Sequence, residues 1–314
     1  MLYNKVLGMY ESIYNKRYDE RKFIKYYTHN DFDSLNAMPI EFKSNNNQTL
    51  RGNLYYYNKS DKLCVFCHGM EATHHSYMHE IEFIAKSGFM VFSYDNTGVG
   101  MSDGDSMVGF SQSLVDLDYA LRYIKNSEFK DLDLSLVGHS WGGFAVSNIL
   151  NYHDEIKAIV SISAPISTKS IFSQFMKGVL KVFLPTILKV EKNKFPNYYN
   201  SSAEEVIKNT NTPILFIHST DDLVVSCKNN AKHLEKINKN PKVEFLFCDN
   251  KNHNPNYTAE GVKYMNDVFS NFARVGKNMS LEEKMEYFKE VDFKKMVIQD
   301  SQIMAKVCNF IKRG

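Results

Sequence analysis

The sequence predicts an α/β protein: a mostly parallel central sheet with helices on both faces and a small helical cap insertion. Apolar runs of strand length recur at LCVFC (63–67), FMVFSY (89–94), LSLVG (134–138), AIVSIS (158–163), PILFIHS (213–219) and VEFLFC (243–248). They lack regular apolar–polar alternation, as expected of strands buried on both faces. Helix-like stretches separate them at about 74–87, 111–127, 141–151, 226–239 and 256–272. Strands linked in this way by helices argue for a parallel sheet.

Before these runs lies an arm, residues 1–38. Its opening, MLYNKVLGMYESIYNKRYDE, mixes charged, polar and aromatic residues and lacks the apolar core of a signal peptide. The arm, like the tail, is expected to pack on the core as flanking helices. PIEFKS (39–44) and TLRGNLYYY (49–57) flank the turn residues Asn45-Asn46-Asn47 and read as an antiparallel pair feeding the sheet. The core is expected to comprise residues 39–163 and 213–314.

The interval 164–212 is longer than one helical crossover needs and reads as a cap insertion. Within it Phe172, Phe175, Met176, Val179, Leu180 and Phe183 follow i, i+3, i+4, i+7 spacing, which predicts one helix with a broad apolar face. Pro185 is expected to stop or kink that helix. In the tail, Ser280-Leu281-Glu282-Glu283 has the pattern of a capping box, and QIMAKVCNFIKRG reads as a closing amphipathic helix.

Composition narrows the function. The net charge of +2 and the absence of a long basic run speak against nucleic acid. No run reaches the roughly eighteen apolar residues of a spanning helix, and five scattered cysteines suit reduced thiols. A cytoplasmic protein is expected. Cys64 and Cys67 match C-x-x-C, but residues three apart on a strand point to opposite faces, so packing is the better account.

The chemistry gathers around LVGHSWGG (136–143). A G-x-S-x-G between a strand and a helix places its serine, here Ser140, on a sharp turn with the hydroxyl lifted above the sheet. A serine hydroxyl hardly ionises at neutral pH, so it needs a base oriented by an acid. PILFI runs into His218-Ser219-Thr220-Asp221-Asp222, and VEFLFC runs into Asp249-Asn250-Lys251-Asn252-His253. Ser140, an aspartate and His253 thus arrive in that order at one sheet edge; the pattern alone leaves Asp221 and Asp222 open as the acid.

Other histidines compete less well. His139 should direct its side chain away from that of Ser140. His68 and His218 end strands and read as packing or loop-bracing residues, while His153 and His233 read as surface residues. His74, His75 and His79 cluster near Glu71 and Glu80, but offer a poor ligand set for a metal.

These motifs resemble the α/β-hydrolase superfamily, in its esterase, monoacylglycerol lipase and serine aminopeptidase-like branch, over about residues 40–272 and the final helix 302–313. The resemblance rests on His68-Gly69 after a strand, Asp95-Asn96-Thr97-Gly98-Val99-Gly100-Met101-Ser102, GHSWGG, HSTDDLVV and NHN. It implies an α/β-hydrolase fold. The family register H-G-x-x-D-x-x-V falls on His218, Ser219, Asp222 and Val225, with serine in place of glycine, and favours Asp222 as the acid. It also implies an oxyanion hole formed by the backbone N–H groups of Met70 and Trp141, and loop-shaping roles for Asp95, Gly98 and Gly100.

The resemblance points to a serine hydrolase that cleaves a carboxylic ester through an acyl-enzyme on Ser140, without metal or organic cofactor. Monoacylglycerols, lysophospholipids and aromatic acid esters are the expected substrate types. A small-peptide hydrolase, a thioesterase and a non-catalytic binding protein of the same fold are the alternatives. The insertion is read either as a cap that buries its apolar face on the domain below, or as a lid that meets an acyl chain or a membrane surface, assisted by Lys177, Lys181 and Lys189.

Overall fold

The computed structural model describes residues 2–176 and 178–313. Lys177, one of the three lysines named for the cap, lies outside them. Eight strands form one sheet: β1 (Asn36–Lys43), β2 (Thr49–Tyr56), β3 (Lys62–Cys67), β4 (Met90–Tyr94), β5 (Asp133–His139), β6 (Ala158–Ile162), β7 (Ile214–Ser219) and β8 (Val243–Cys248). Their order is β1-β2-β4-β3-β5-β6-β7-β8. The first hairpin is antiparallel, β2 meets β4 antiparallel, and every other neighbouring pair is parallel. The loops after β3, β5, β7 and β8 therefore open on one edge of the sheet.

Helices cover both faces over two separate apolar clusters. The C-x-x-C pair shows the pleat directly: Cys67 packs in one cluster and Cys64 in the other. Burial pushes the Cys67 thiol up to about 12 and that of Cys64 well above its ordinary value, so neither is a ready thiolate. The closing helix Ser301–Ile311 buries Met304, Val307 and Phe310 on the Cys64 side. The capping box of the helix Leu281–Lys289 is present: Ser280 Oγ accepts from the Glu283 N–H at 3.2 Å, and the Glu283 carboxylate accepts from the Ser280 N–H at 2.6 Å. Among the described residues, no helix is long and apolar enough to cross a membrane.

The insertion differs from its expected form. A helix at Thr168–Phe175 ends where Met176 turns extended, and a 3-10 helix follows over Gly178–Phe183. Gly178 sits at φ +57°, in the left-handed region that halts a right-handed helix. The apolar face is thereby split: Phe172 and Met176 are buried, while Phe175 and Val179 are 59% and 69% exposed. Pro185 does not stop a helix but opens one, in the first turn of Leu184–Lys194. A first-turn N–H has no helical acceptor, so proline loses nothing there. The rest of the insertion includes the helix Ala203–Asn209.

The arm begins with a helix, Leu2–Tyr14, whose Tyr10 and Tyr14 rings pack against Phe172 of the insertion. His153 corrects another expectation. It is buried, with Nε2 2.7 Å from Asp118 and Nδ1 3.1 Å from Glu155, because the chain after helix Trp141–Asn148 folds back over the Asp118 carboxylate.

The core also holds an acid. Glu80 is 2% exposed and accepts a 2.8 Å hydrogen bond from Asn256. Burial pushes its carboxyl up to about 7, against the hydrogen bonds it receives. A carboxyl whose folded pKa is raised favours folding when protonated; that stability is complete below the ordinary value near 4.5 and is lost as pH rises to about 7. Replacing Glu80 by Gln should remove this dependence. The stability of Glu80→Gln relative to the parent should rise by about 3 kcal/mol between pH 4.5 and 7, read by urea unfolding. A pH-independent difference would contradict it.

Candidate active site

The turn at Ser140 comes from close packing of strand on helix. Ser140 holds φ +54° and ψ −112°, a strained conformation for a residue with a Cβ. Its N–H donates to the Ile162 carbonyl at 2.8 Å, and its own carbonyl accepts from Phe144 at 2.9 Å, which starts helix Trp141–Asn148. The flanking glycines are required sterically. A Cβ on Gly142 would sit 2.1 Å from the Cys67 carbonyl oxygen of β3, and one on Gly138 would sit 2.4 Å from the Gly142 carbonyl oxygen.

Three of the residues singled out from sequence meet in one line. His253 Nε2 lies 2.9 Å from Ser140 Oγ, and His253 Nδ1 lies 2.8 Å from Asp222 Oδ2. Asp222 is buried on the loop just past the C-terminal end of β7, where its Oδ1 accepts from the Val224 and Val225 N–H groups, each at 2.8 Å. His218 Nε2 sits 3.1 Å from Oδ2 and 2.9 Å from the Val225 carbonyl. Burial alone would raise the Asp222 carboxyl; the hydrogen bonds of His218 and His253, with the charge of His253, outweigh it and hold it well below the usual carboxylate range. An ionised carboxylate only accepts, so the imidazole proton sits on Nδ1 and Nε2 is left to accept from the serine hydroxyl.

Asp221 does other work. It accepts from Ser219 Oγ at 2.5 Å and from the backbone N–H groups of Lys251 and Asn252 at 3.3 and 3.2 Å. It braces the loop that carries His253 and makes no bond to the imidazole. Lys251 ties the same loop to Asp300 and to the Pro255 carbonyl.

Met70 and Trp141 line the cavity beside Ser140. Among the described residues no acceptor takes the N–H of either, which leaves both amides free to receive an oxyanion. The cavity encloses about 340 Å³, and its walls are almost wholly apolar: Phe110, Ile171, Phe172, Met176 and Ile187 from core and insertion, and Val6, Met9, Tyr10 and Ile13 from the arm. Glu191 fastens the arm and insertion together. Its buried carboxylate accepts from Tyr10 (2.6 Å), from the N–H groups of Phe110 (2.8 Å) and Ser111 (3.1 Å), and from Ser111 Oγ (2.7 Å).

The remaining candidates sit elsewhere. His68 braces its loop by accepting from the Asn96 N–H at 3.0 Å. Asp95 accepts from Met101 N–H and pairs with His74, which fits a loop-shaping role. His75 pairs with Glu20, and His79 packs between Tyr27 and Phe32, so the three clustered histidines face three different partners. His233 is half-exposed beside Glu204. His139 makes no bond to Ser140 Oγ, although its ring lies 4.8 Å from that of His253. The arm's contribution to the cavity was missed from sequence. Val6, Met9, Tyr10, Ile13 and Tyr14 do follow helical spacing, which could reveal an apolar face but not where it docks.

The sequence profile of the serine aminopeptidase S33 family, a hydrolase family, matches residues 58–211. No curated protein matches significantly. Among solved structures, an esterase of Pyrococcus furiosus superposes with a TM-score of 0.63 at 21% identity, over 95% of this chain and 98% of that one. The esterase domain of a Rhodothermus marinus protein gives 0.52 at 19%, over 76% and 98%. An acylaminoacyl peptidase of Pyrococcus horikoshii gives 0.53 at 18%, over 82% of this chain and 45% of that one. The shared property is the fold.

Proposed function

We propose that this chain is a serine hydrolase of the α/β-hydrolase superfamily that cleaves carboxylic esters with an apolar acyl part, a reading supported by the matched family profile and the shared fold. The observation that carries the reading is the line Ser140–His253–Asp222 at the wall of an apolar cavity. Ser140 Oγ attacks the acyl carbonyl while His253 Nε2 takes its proton. Asp222 holds the imidazole tautomer and stabilises the cation that forms. The Met70 and Trp141 N–H groups stabilise the developing oxyanion, a contribution of about 3–4 kcal/mol per donor in such sites. His253 then returns its proton to the leaving alcohol. In the second half a water gives its proton to His253 and attacks the acyl-enzyme; the bond to Ser140 Oγ then breaks, His253 returns that proton to Oγ, and the acid is released.

The lining favours an ester over a peptide with a free amino terminus. Among the described residues the cavity walls include no aspartate or glutamate, so an ammonium group would enter without a counter-charge and lose its hydration. Glu191 lies close by, but its oxygens are already engaged by Tyr10, Phe110 and Ser111. The cavity volume is near the lower end of the roughly 300–1,000 Å³ usual for ligand pockets, which suits one acyl chain.

A series of p-nitrophenyl esters from acetate to palmitate, run beside aminoacyl-anilides, tests this. Turnover per KM should climb with each added methylene to a medium-chain optimum, by up to about fourfold per step at ~0.8 kcal/mol per buried methylene, and then fall. Activity confined to the anilides would overturn the ester reading.

A further inference from the structure

Behind the catalytic line runs a second chain of hydrogen bonds that ends on its histidine. The Gly69 N–H donates to Tyr77 Oη at 3.1 Å, Tyr77 Oη lies 2.8 Å from His139 Nδ1, and His139 Nε2 lies 2.8 Å from the backbone carbonyl of His253. Tyr77 and His139 are both buried, at 7% and 5% exposure.

The directions of these bonds follow from chemistry. A carbonyl only accepts, so His139 Nε2 carries the proton and donates it to His253. Burial, reinforced by the neighbouring His253, pushes His139 down to about 3. The ring is neutral at physiological pH, and its Nδ1 is therefore bare and accepts the Tyr77 hydroxyl. That hydroxyl in turn accepts from Gly69. Every donor in the chain meets an acceptor, with none left over.

Position gives the chain its meaning. Gly69 adjoins Met70, one of the two free amides, and His253 stands on the loop after β8. The two loops come from different parts of the sequence and share no strand. Gly69 is shaped for this contact: a Cβ there would come 2.6 Å from Tyr77 Oη and 3.4 Å from His139 Nδ1. Neutrality of His139 also serves the reaction, since a second cation at a ring distance of 4.8 Å would oppose the His253 imidazolium.

We propose that Tyr77 and His139 are positioning residues for acyl transfer, a strut that sets the His253 loop against the loop bearing the Met70 amide. The inference rests on the serine-hydrolase reading. A strut of this kind acts on geometry in the transition state, so its loss should lower kcat and leave KM nearly unchanged.

The test compares Tyr77→Phe, His139→Leu and His139→Gln on p-nitrophenyl butyrate, with Tm recorded for each. His139→Leu removes donor and acceptor and should lower kcat about 100-fold, the order expected of a displacement near 1 Å. His139→Gln keeps an N–H near the Nε2 position and should recover kcat to within roughly tenfold of the parent, and Tyr77→Phe should cost about tenfold, both with KM within about twofold. Kcat of His139→Leu and Tyr77→Phe within threefold of the parent would overturn the strut. So would His139→Gln no faster than His139→Leu. Should His139→Leu fail to fold, Tyr77→Phe, which loses one oxygen atom, and His139→Gln still decide. Loss of labelling by a fluorophosphonate in Ser140→Ala, alongside full activity of the strut variants, would overturn the strut alone; persistent labelling of Ser140→Ala would overturn the reading beneath it.

Discussion

Ser140→Ala should lower kcat on p-nitrophenyl butyrate by about 10⁴ to 10⁶ and abolish labelling by a fluorophosphonate. The fold should survive, because the side chain's bond is to His253 Nε2 and nothing in the packing depends on the hydroxyl. Backbone strain provides an internal control. Ser140 lies at φ +54°, which alanine tolerates no better than serine, whereas glycine adopts it freely. Ser140→Gly should therefore be more stable than Ser140→Ala by roughly 1 kcal/mol while being equally inactive. Inactivity with unequal stability would locate the strain at the reacting residue. Undiminished labelling of either variant would remove Ser140 from the nucleophile's place.

How far the site was legible depends on the range of the forces that build it. The Ser140 turn announces itself locally as G-x-S-x-G: a Cβ on Gly138 would strike the Gly142 carbonyl oxygen within the same five residues, although the contact that demands Gly142 comes from the Cys67 carbonyl of β3. The sheet was legible for a similar reason, since strands buried on both faces read as uninterrupted apolar runs. His253 and the pair Asp221 and Asp222 were found through strand order, because each follows the C-terminal end of a parallel strand and those ends share one edge; the preference for Asp222 came from the family register.

The arm was read less fully. Its helix Leu2–Tyr14 shows an apolar face, yet nothing local says that Tyr10 will donate to Glu191, a partner on the far side of the chain. The insertion misled for the opposite reason. Spacing from Phe172 to Phe183 is helical throughout, but Gly178 at φ +57° breaks the helix and Pro185 begins the next. His139 shows the same limit. Its place next to Ser140 was plain, but its bond to the His253 carbonyl depends on a loop more than a hundred residues away.

The two adjacent aspartates should part widely on substitution. Asp222→Asn should lower kcat by about 10⁴, because the change reverses the imidazole tautomer. An asparagine offers an N–H₂ and one carbonyl; its oxygen is drawn to the Val224 and Val225 N–H groups now bound by Oδ1, and the N–H₂ then faces His253 Nδ1. Two donors cannot face each other, so the ring proton moves to Nε2, where it points at Ser140 Oγ and cannot receive the serine proton. Asp221→Asn has no such lever. It weakens one of the acceptor contacts to Ser219, Lys251 and Asn252, worth about 1 kcal/mol, and should cost tenfold at most. Stability adds a second readout. The depressed pKa of Asp222 contributes stability that is complete above the ordinary carboxylate value near 3.8 and fades as pH falls below it. The stability lost in Asp222→Asn should accordingly be larger at pH 7 than at pH 3, measured by urea unfolding at each. If Asp221→Asn proved the slower enzyme, Asp221 and not Asp222 would orient the imidazole, and the hydrogen bond drawn from His253 Nδ1 to Asp222 would not be the one that catalysis uses.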